Sequence, residues 1–188
     1  MAEQTPARTS DWMRPHSLLR ISIAVAVVTI VLKMLAWLLT GSVGLLSDAL
    51  ESFVNLAGAT FALAMVTIAQ RPADDDHPYG HHKAEYFSAG FEGLLVIGAS
   101  LAIIWVSVAR WLDPQPLQRL AWGLGLSLAS TVLNGALAWL MFRSARTYRS
   151  MALEGDARHL MTDVYTSVGV VLGLGLAHLS GWWWLDPL

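Results

Sequence analysis

Residues 45–69 read LLSDALESFVNLAGATFALAMVTIA, a mostly apolar run. It is long and apolar enough to cross a bilayer, whose hydrocarbon core needs about 20 helical residues. Its first half nevertheless carries Asp48, Glu51 and Asn55. A charged side chain at the centre of a membrane helix costs roughly 2.5–3.5 kcal/mol on insertion scales, so such residues usually have a partner or a function. The stretch therefore predicts a membrane-spanning helix with a polar site inside it.

Four further segments have a similar length and apolar character, and they are residues 18–39, 86–111, 120–142 and 159–182. Polar or turn-forming residues separate them. The clearest break is Asp113-Pro114-Gln115-Pro116, because proline fixes φ and cannot continue a helix. The sequence therefore predicts an all-α fold, a polytopic membrane helix bundle with five transmembrane helices.

Composition supports the membrane class and excludes several functions. Of 188 residues, 55% are apolar and 14% are charged, which is too few charged residues for a soluble domain. The net charge of −2 gives no reason to expect nucleic-acid binding. The absence of cysteine excludes disulfides, thiolate metal sites and thiol nucleophiles, and makes copper(I) a poor candidate cargo.

Lysine and arginine are unevenly divided between the two sides of the bundle. Two of them, Arg110 and Arg119, belong to one side, and Lys33 lies inside the first span. The other side holds nine: Arg8, Arg14, Arg20, Arg71, Lys83, Arg143, Arg146, Arg149 and Arg158. Because cytoplasmic loops carry the excess of these residues, we expect the amino terminus in the cytoplasm and residues 1–17 to form a cytoplasmic arm.

Residues 18–188 are predicted to form one transmembrane domain. Five spans place Asp186-Pro187-Leu188 on the outer side, where proline suits the first turn of a further helix. We therefore expect the domain to be truncated before a sixth helix.

Polar residues at helical spacing predict a metal site within the membrane. Glu51 and Asn55, like His159 and Asp163, are four residues apart and share one helix face. Two facing pairs would offer one imidazole nitrogen and three oxygens, a set that suits zinc(II), iron(II), cobalt(II) or manganese(II). Asp48, one turn before Glu51, is a candidate for a further carboxylate ligand. The alternative is that these residues form hydrogen bonds between helices. We interpret Asn134, a lone asparagine in the fourth span, in this way.

The loop after the second span predicts another metal site. Residues 74–83 read DDDHPYGHHK. Neighbouring Asp and His side chains can bind a divalent ion, and Pro78 and Gly80 favour a turn that brings His77 and His81 together. The alternative is a solvated acidic loop with incidental histidines.

Three stretches together resemble a known family, the cation diffusion facilitators, which export divalent transition metals from the cytoplasm. They are SDALESFVN at residues 47–55, HPYGHHKAE at 77–85 and ARHLMTD at 157–163, and the resemblance extends over residues 18–188. It implies a six-helix membrane domain, a homodimer, a cytoplasmic metal-sensing domain and exchange of metal for protons. We expect a location in the inner membrane of a bacterium.

The resemblance also implies roles for individual residues. His159 and Asp163 match the family's ligands on the fifth helix. Glu51 and Asn55 stand where bacterial zinc and iron exporters usually have two aspartates, so the cargo stays open among zinc, iron, cobalt and manganese, with zinc placed first. A second site found in some members matches the residues Asp74, His77 and His81. No prosthetic group is expected.

Two other functional classes are alternatives to transport. An intramembrane hydrolase is disfavoured because neither His-Glu-x-x-His nor Gly-x-Ser-x-Gly occurs in the sequence, and we expect no enzyme. The alternative to a transporter is a non-transporting membrane scaffold or regulatory fragment, which a flat metal-binding isotherm would favour.

Overall fold

The computed structural model describes residues 15–69, 71–72, 74–81, 83–148 and 151–187. Within these ranges the chain forms helices and no β-strand. The long helices are α1 (Pro15–Thr40), α2 (Val43–Ala69), α3 (Ala84–Leu112), α4 (Leu120–Tyr148) and α5 (Met151–Ser180), followed by a short 3₁₀ helix, Trp183–Leu185. The all-α prediction is confirmed.

All five long helices have the length and composition needed to cross a membrane. Their outer faces carry large apolar side chains, as on α3, where Leu94, Ile97 and Leu101 are each more than half exposed. Such a surface suits lipid chains, which are as apolar as these side chains, whereas water would oppose its exposure. The chain is therefore an integral, multi-pass membrane protein with the five spanning helices that the sequence predicts.

The α4 and α5 helices extend beyond the predicted spans. α4 continues to Tyr148 and α5 begins at Met151, so the basic residues between the two predicted spans are helical over 143–148 and 151–158, and residues 149–150 lie outside the described ranges. Arg and Glu are good helix formers, and Arg158 donates a hydrogen bond to Glu154, one turn away, at 2.7 Å. Hydropathy thus indicates where a helix leaves the membrane, but not where it ends.

The other boundaries lie close to their predicted positions. α1 begins at Pro15, so it takes up the last residues of the predicted arm, and residues 1–14 of that arm lie outside the described residues. The predicted break at Asp113–Pro116 is confirmed, because α3 ends at Leu112 and α4 begins at Leu120.

α1, α2, α4 and α5 pack as a bundle, and α3 lies along α2. One apolar cluster joins α1, α4 and α5 at the end of the bundle where α1 begins, and its largest members are Leu18, Leu137, Met141, Leu153 and Leu160. A second cluster at the opposite end joins Ala36, Leu45 and Leu174. On the outside, the rings of Phe61 and Phe91 hold α3 against α2 with 4.2 Å between their centroids. The polar faces of α2 and α5 lie between the two apolar clusters.

A tight turn joins α1 to α2. Gly41 has φ +67°, a left-handed conformation that glycine adopts without strain. Its N–H donates to the carbonyl of Trp37 at 2.7 Å and so caps α1. Ser42 Oγ then accepts a hydrogen bond from the N–H of Leu45 at 3.1 Å, as an N-cap residue of α2 does.

A residue near the other end of the chain completes this cap. Asp186 is buried at 6% exposure. Its carboxylate accepts hydrogen bonds from Ser42 Oγ at 2.5 Å and from the N–H groups of Val43 at 2.9 Å and Gly44 at 3.3 Å. A carboxylate is favourable at the positive end of a helix. Asp186 therefore fixes the start of α2 to the segment that follows α5.

Candidate metal centre

Four of the predicted ligands lie on facing sides of two helices, and together they are called the cage (Glu51, Asn55, His159 and Asp163). The first two are one turn apart on α2 and the last two are one turn apart on α5. Asp163 is buried at 7% exposure, Glu51 and Asn55 are half-buried, and His159 is exposed. Burial is thus greatest at the carboxylate on α5.

Asn55 and Asp163 connect the two halves of the cage. Asn55 of α2 and Asp163 of α5 both line one cavity between the helices. Asp163 also lies close enough to His159 and Glu51 to interact with them electrostatically. The polar pairs on α2 and α5 therefore face each other across the helix interface.

A cavity of about 340 Å³ opens beside the cage, between α1, α2 and α5. Asn55, His159 and Asp163 line it, whereas Glu51 is not among its lining residues. Its apolar walls include Leu19 at the start of α1 and Leu63 towards the end of α2. The cavity therefore leads from the cage towards the end of the bundle that carries the 71–83 loop.

The cage is open in this structure. Across the described ranges, one group of three or more acidic or histidine side chains has its ligand atoms within 4.8 Å of one another, and that group lies in the loop after α2. Glu51, His159 and Asp163 thus share a region without meeting at one point. Their use as ligands stays a prediction.

Asp156 and Asn134 are also among the polar residues that line the cavity. Asp156 lies on the wall, one turn before His159 on α5. Asn134 of α4 is only 1% exposed, and its Oδ1 has no hydrogen-bond partner among the described residues. An unsatisfied buried oxygen is costly unless water or another partner reaches it. The prediction that Asn134 forms a hydrogen bond between helices is therefore not supported for its Oδ1 atom.

Asp48, the predicted additional carboxylate, is bound to other protein groups. Lys33 Nζ donates a hydrogen bond to its Oδ1 at 2.8 Å. Ser167 Oγ lies 2.9 Å from Oδ1 and 3.1 Å from Oδ2. Asp48 is not among the residues that line the cavity, and a role as a metal ligand would require it to leave these partners.

The loop after α2 brings Asp74, His77 and His81 together, and these residues are called the loop cluster. His77 Nδ1 lies 3.0 Å from Asp74 Oδ1, and His81 Nε2 lies 3.5 Å from Asp74 Oδ2. The two imidazole rings are 4.3 Å apart between centroids. These distances place two imidazoles and one carboxylate within reach of a single ion.

A short turn produces this arrangement. The N–H of Gly80 donates to the carbonyl of His77 at 2.9 Å, and Gly80 has φ +80°. The prediction that Pro78 and Gly80 fold the loop so that His77 and His81 approach each other is therefore confirmed. Metal binding by the loop cluster stays a prediction.

The loop cluster also has a defined charge state at its carboxylate. Desolvation alone would raise the pKa of Asp74, but the hydrogen bonds and charge of His77 and the charge of His81 outweigh it and hold that pKa below its ordinary value. Asp74 therefore stays ionised, as a metal ligand must be.

Comparison with known proteins identifies the domain that contains these sites. Residues 19–188 match the cation efflux transmembrane domain. The chain belongs to the cation diffusion facilitator family. An uncharacterised transporter of Synechocystis is 51% identical over 180 residues, which are 96% of this chain and 57% of that protein. The cation-efflux pump FieF of Shewanella oneidensis is 33% identical over 177 residues, which are 94% of this chain and 59% of the pump.

This cation diffusion facilitator chain thus spans less than two thirds of the length of these relatives. The family is one of metal cation transporters and not of enzymes. The polar groups of α2 and α5 are accordingly candidates for binding an ion rather than for making or breaking covalent bonds.

Proposed function

We propose that this chain forms the membrane part of a secondary transporter that exports a divalent transition metal, with zinc as the first candidate, in exchange for protons. The observation that carries the proposal is the cavity into which α2 presents Asn55 and α5 presents His159 and Asp163. An imidazole, a carboxylate and an amide oxygen facing one cavity inside a membrane domain form a donor set for a borderline divalent ion. Iron(II), cobalt(II) and manganese(II) are the other candidates.

Closure of the cage would need movement of a side chain on α2. Glu51 lies beside the cavity and interacts electrostatically with His159 and Asp163. Rotation of its carboxylate into the cavity would complete a set of one nitrogen and three oxygens. Because a divalent cation attracts both carboxylates, binding of the ion would favour this closed arrangement.

Protons would compete with the metal for the same atoms. Metal ligands must be deprotonated, so binding of the ion releases protons from carboxylate and imidazole groups. Imidazole exchanges protons near neutral pH. Rocking of the helices around the cage would then expose it to the other side, as in alternating access, where protons would replace the metal.

The direction of transport is proposed from the charges. The cavity leads to the end of the bundle formed by the start of α1, the 71–83 loop and the start of α5. That end carries most of the lysine and arginine residues, so we assign it to the cytoplasm. We propose the inner membrane of a bacterium as the location, and a homodimer as the assembly, as the family resemblance implies.

The loop cluster would bind the ion before it reaches the cavity. Asp75 and Asp76 are exposed next to Asp74 and add negative charge at the same end. Such a charge raises the local concentration of cations. We propose that the loop cluster binds a divalent ion transiently on the cytoplasmic side.

Transport in proteoliposomes tests the proposal. Uptake of zinc, manganese, cobalt and iron(II) would be compared between the wild type, Asp163→Asn and a control on the same helix, Glu154→Gln, whose side chain pairs with Arg158 outside the cage. We expect uptake that follows the pH gradient, is lost in Asp163→Asn and is kept in Glu154→Gln. Uptake that ignores the pH gradient would contradict proton exchange, and no uptake together with a flat binding isotherm would favour a scaffold.

A further inference from the structure

Lys33 of α1 and Asp48 of α2 form an ion pair that is almost completely buried. Lys33 is 1% exposed and Asp48 is 2% exposed, and Nζ lies 2.8 Å from Oδ1. Lys33 Nζ also donates to Ser52 Oγ at 2.8 Å. Removing either charge alone from such a site leaves the other uncompensated, so the pair acts as a unit.

The partners of the ion pair are neighbours of the cage residues in the chain. Ser52, one of its hydrogen-bond partners, follows Glu51 and also lines the cavity. Ser167, the other partner, is one turn beyond Asp163 on α5. Lys33 and Asp48 both interact electrostatically with Glu51 and with Asp163. Any change in this pair therefore changes the field at the cage.

The geometry shows which groups occupy Asp48. One carboxylate oxygen accepts from Lys33 and Ser167, and the other accepts from Ser167. A free Asp48 would add a third carboxylate beside Glu51 and Asp163. Each added negative charge strengthens the attraction for a divalent ion, and an ion that is held too strongly is released slowly.

We propose that Lys33 is a positioning residue that withholds Asp48 from the transported ion and offsets its charge at the cage. This inference rests on the proposed function of the cage. Lys33 and Asp48 together add no net charge, so the ion meets the carboxylates of Glu51 and Asp163 alone. The pair thereby limits affinity and permits release.

The inference is tested by zinc affinity, measured by competition with a chelating dye on purified chains in which Asp74→Asn and His81→Ala disable the loop cluster, because the single variants are expected to change that affinity in opposite directions. Lys33→Met frees Asp48 and is expected to raise zinc affinity by about tenfold or more. Asp48→Asn leaves the Lys33 charge beside the cage and is expected to lower it by a similar factor. The double variant removes both charges and is expected to bind zinc within about threefold of the wild type. Lys33→Met should also bind zinc more tightly while transporting it more slowly.

A merely structural ion pair would give a different result. Both single variants would then bind zinc more weakly, and that outcome, or an unchanged affinity in Lys33→Met, would overturn the inference. If Lys33→Met does not fold, Ser167→Ala frees Asp48 from one partner and keeps the ion pair. It is expected to raise zinc affinity by about two- to threefold, and an unchanged or lower affinity would overturn the inference.

A separate variant distinguishes failure of the proposed function from failure of this inference. In the same background, with the loop cluster disabled, Asp163→Asn removes a cage carboxylate and leaves Lys33 and Asp48 in place. If zinc binds to Asp163→Asn as it does to the wild type, the proposed cage fails. If Asp163→Asn loses zinc but Lys33→Met does not gain affinity, only the role assigned to Lys33 fails.

Discussion

Asn55 on α2 and Asp163 on α5 line the same cavity inside the bundle. The cavity thus brings together two residues that the sequence separates by more than a hundred positions. An amide can donate a hydrogen bond to the carboxylate before an ion binds and offer its oxygen to the ion afterwards. Asn55 thus suits a site that alternates between an ion-free and an ion-bound state.

Asn55→Asp is expected to raise zinc affinity by about tenfold or more, because a second carboxylate would face Asp163 and the ion would relieve their repulsion. The variant should also show a steeper dependence of zinc binding on pH, since another proton competes with the ion. Zinc titrations at several pH values measure both effects. Asn55→Leu, which removes the oxygen, serves as the opposite control and should bind zinc more weakly than the wild type. Equal affinities in all three chains would exclude Asn55 from the site.

Asp74→Asn is expected to abolish zinc binding at the loop cluster, because it removes the one carboxylate that both imidazoles approach. Asp75→Asn is the matched control, since Asp75 is exposed next in sequence but does not belong to the loop cluster. Zinc binding would be measured by calorimetry in an Asp163→Asn background, which isolates the loop from the cage. Equal loss in the two aspartate variants would show only a general effect of negative charge.

The loop arrangement should depend on pH in a direction set by Asp74. Its pKa is lowered in the folded chain, so its contribution to the loop is present above the ordinary aspartate pKa and is lost as pH falls through the lowered value. Hydrogen exchange at the N–H of His77, which donates to Asp74 Oδ1 at 2.7 Å, reports this. We expect protection that persists at moderately acidic pH in the wild type and is absent in Asp74→Asn. Protection that survives the substitution would contradict the role of Asp74.

Gly123→Ala is expected to lower the stability of the bundle by about 1–3 kcal/mol. A Cβ at this position would overlap Cγ2 of Thr40, whose side chain is buried at 2% exposure. Gly125→Ala is the control on the same helix, because a Cβ there meets nothing within 4 Å. It should be neutral or slightly stabilising, since alanine is the better helix former. Thermal unfolding in detergent compares them, and equal midpoints would contradict the close packing of α1 on α4.

Asp186→Ala is expected to lower stability by about 1–3 kcal/mol, because Ser42 and the first N–H groups of α2 would lose a buried acceptor. Asp113→Ala, at an exposed position after α3, is the control and should have little effect. Thermal unfolding in the same detergent gives the comparison. A variant as stable as the control would mean that water replaces Asp186 at no cost.

Sequence reasoning succeeds here where the signal is local. Apolar length predicts the five helices, Pro114 and Pro116 predict the break after α3, and the spacing of Glu51 with Asn55 predicts their common face. It is less successful where partners are distant in the chain. Lys33 is one isolated cation in an apolar span until the fold places it on Asp48, fifteen residues away.

The same limit applies to the ends of the helices and to the cavity. Asp186 follows the last spanning helix in sequence, but its partners begin at Ser42, 144 positions away. Asn134 carries no spacing signal that links it to the cage, and only the packing of α4 against its neighbours brings it to the cavity. Asp156 does have such a signal, because it lies one turn before His159 on α5. Charged residues past the apolar run likewise conceal the true ends of α4 and α5.

Proton release on zinc binding is the sharpest test of metal–proton exchange at the cage. It would be measured with a pH indicator in weakly buffered detergent solution, using chains in which Asp74→Asn and His81→Ala have disabled the loop cluster. We expect release of about one proton or more for each zinc ion bound, and loss of both binding and release when Asp163→Asn is added. Zinc binding without proton release, or binding that survives Asp163→Asn, would contradict this exchange.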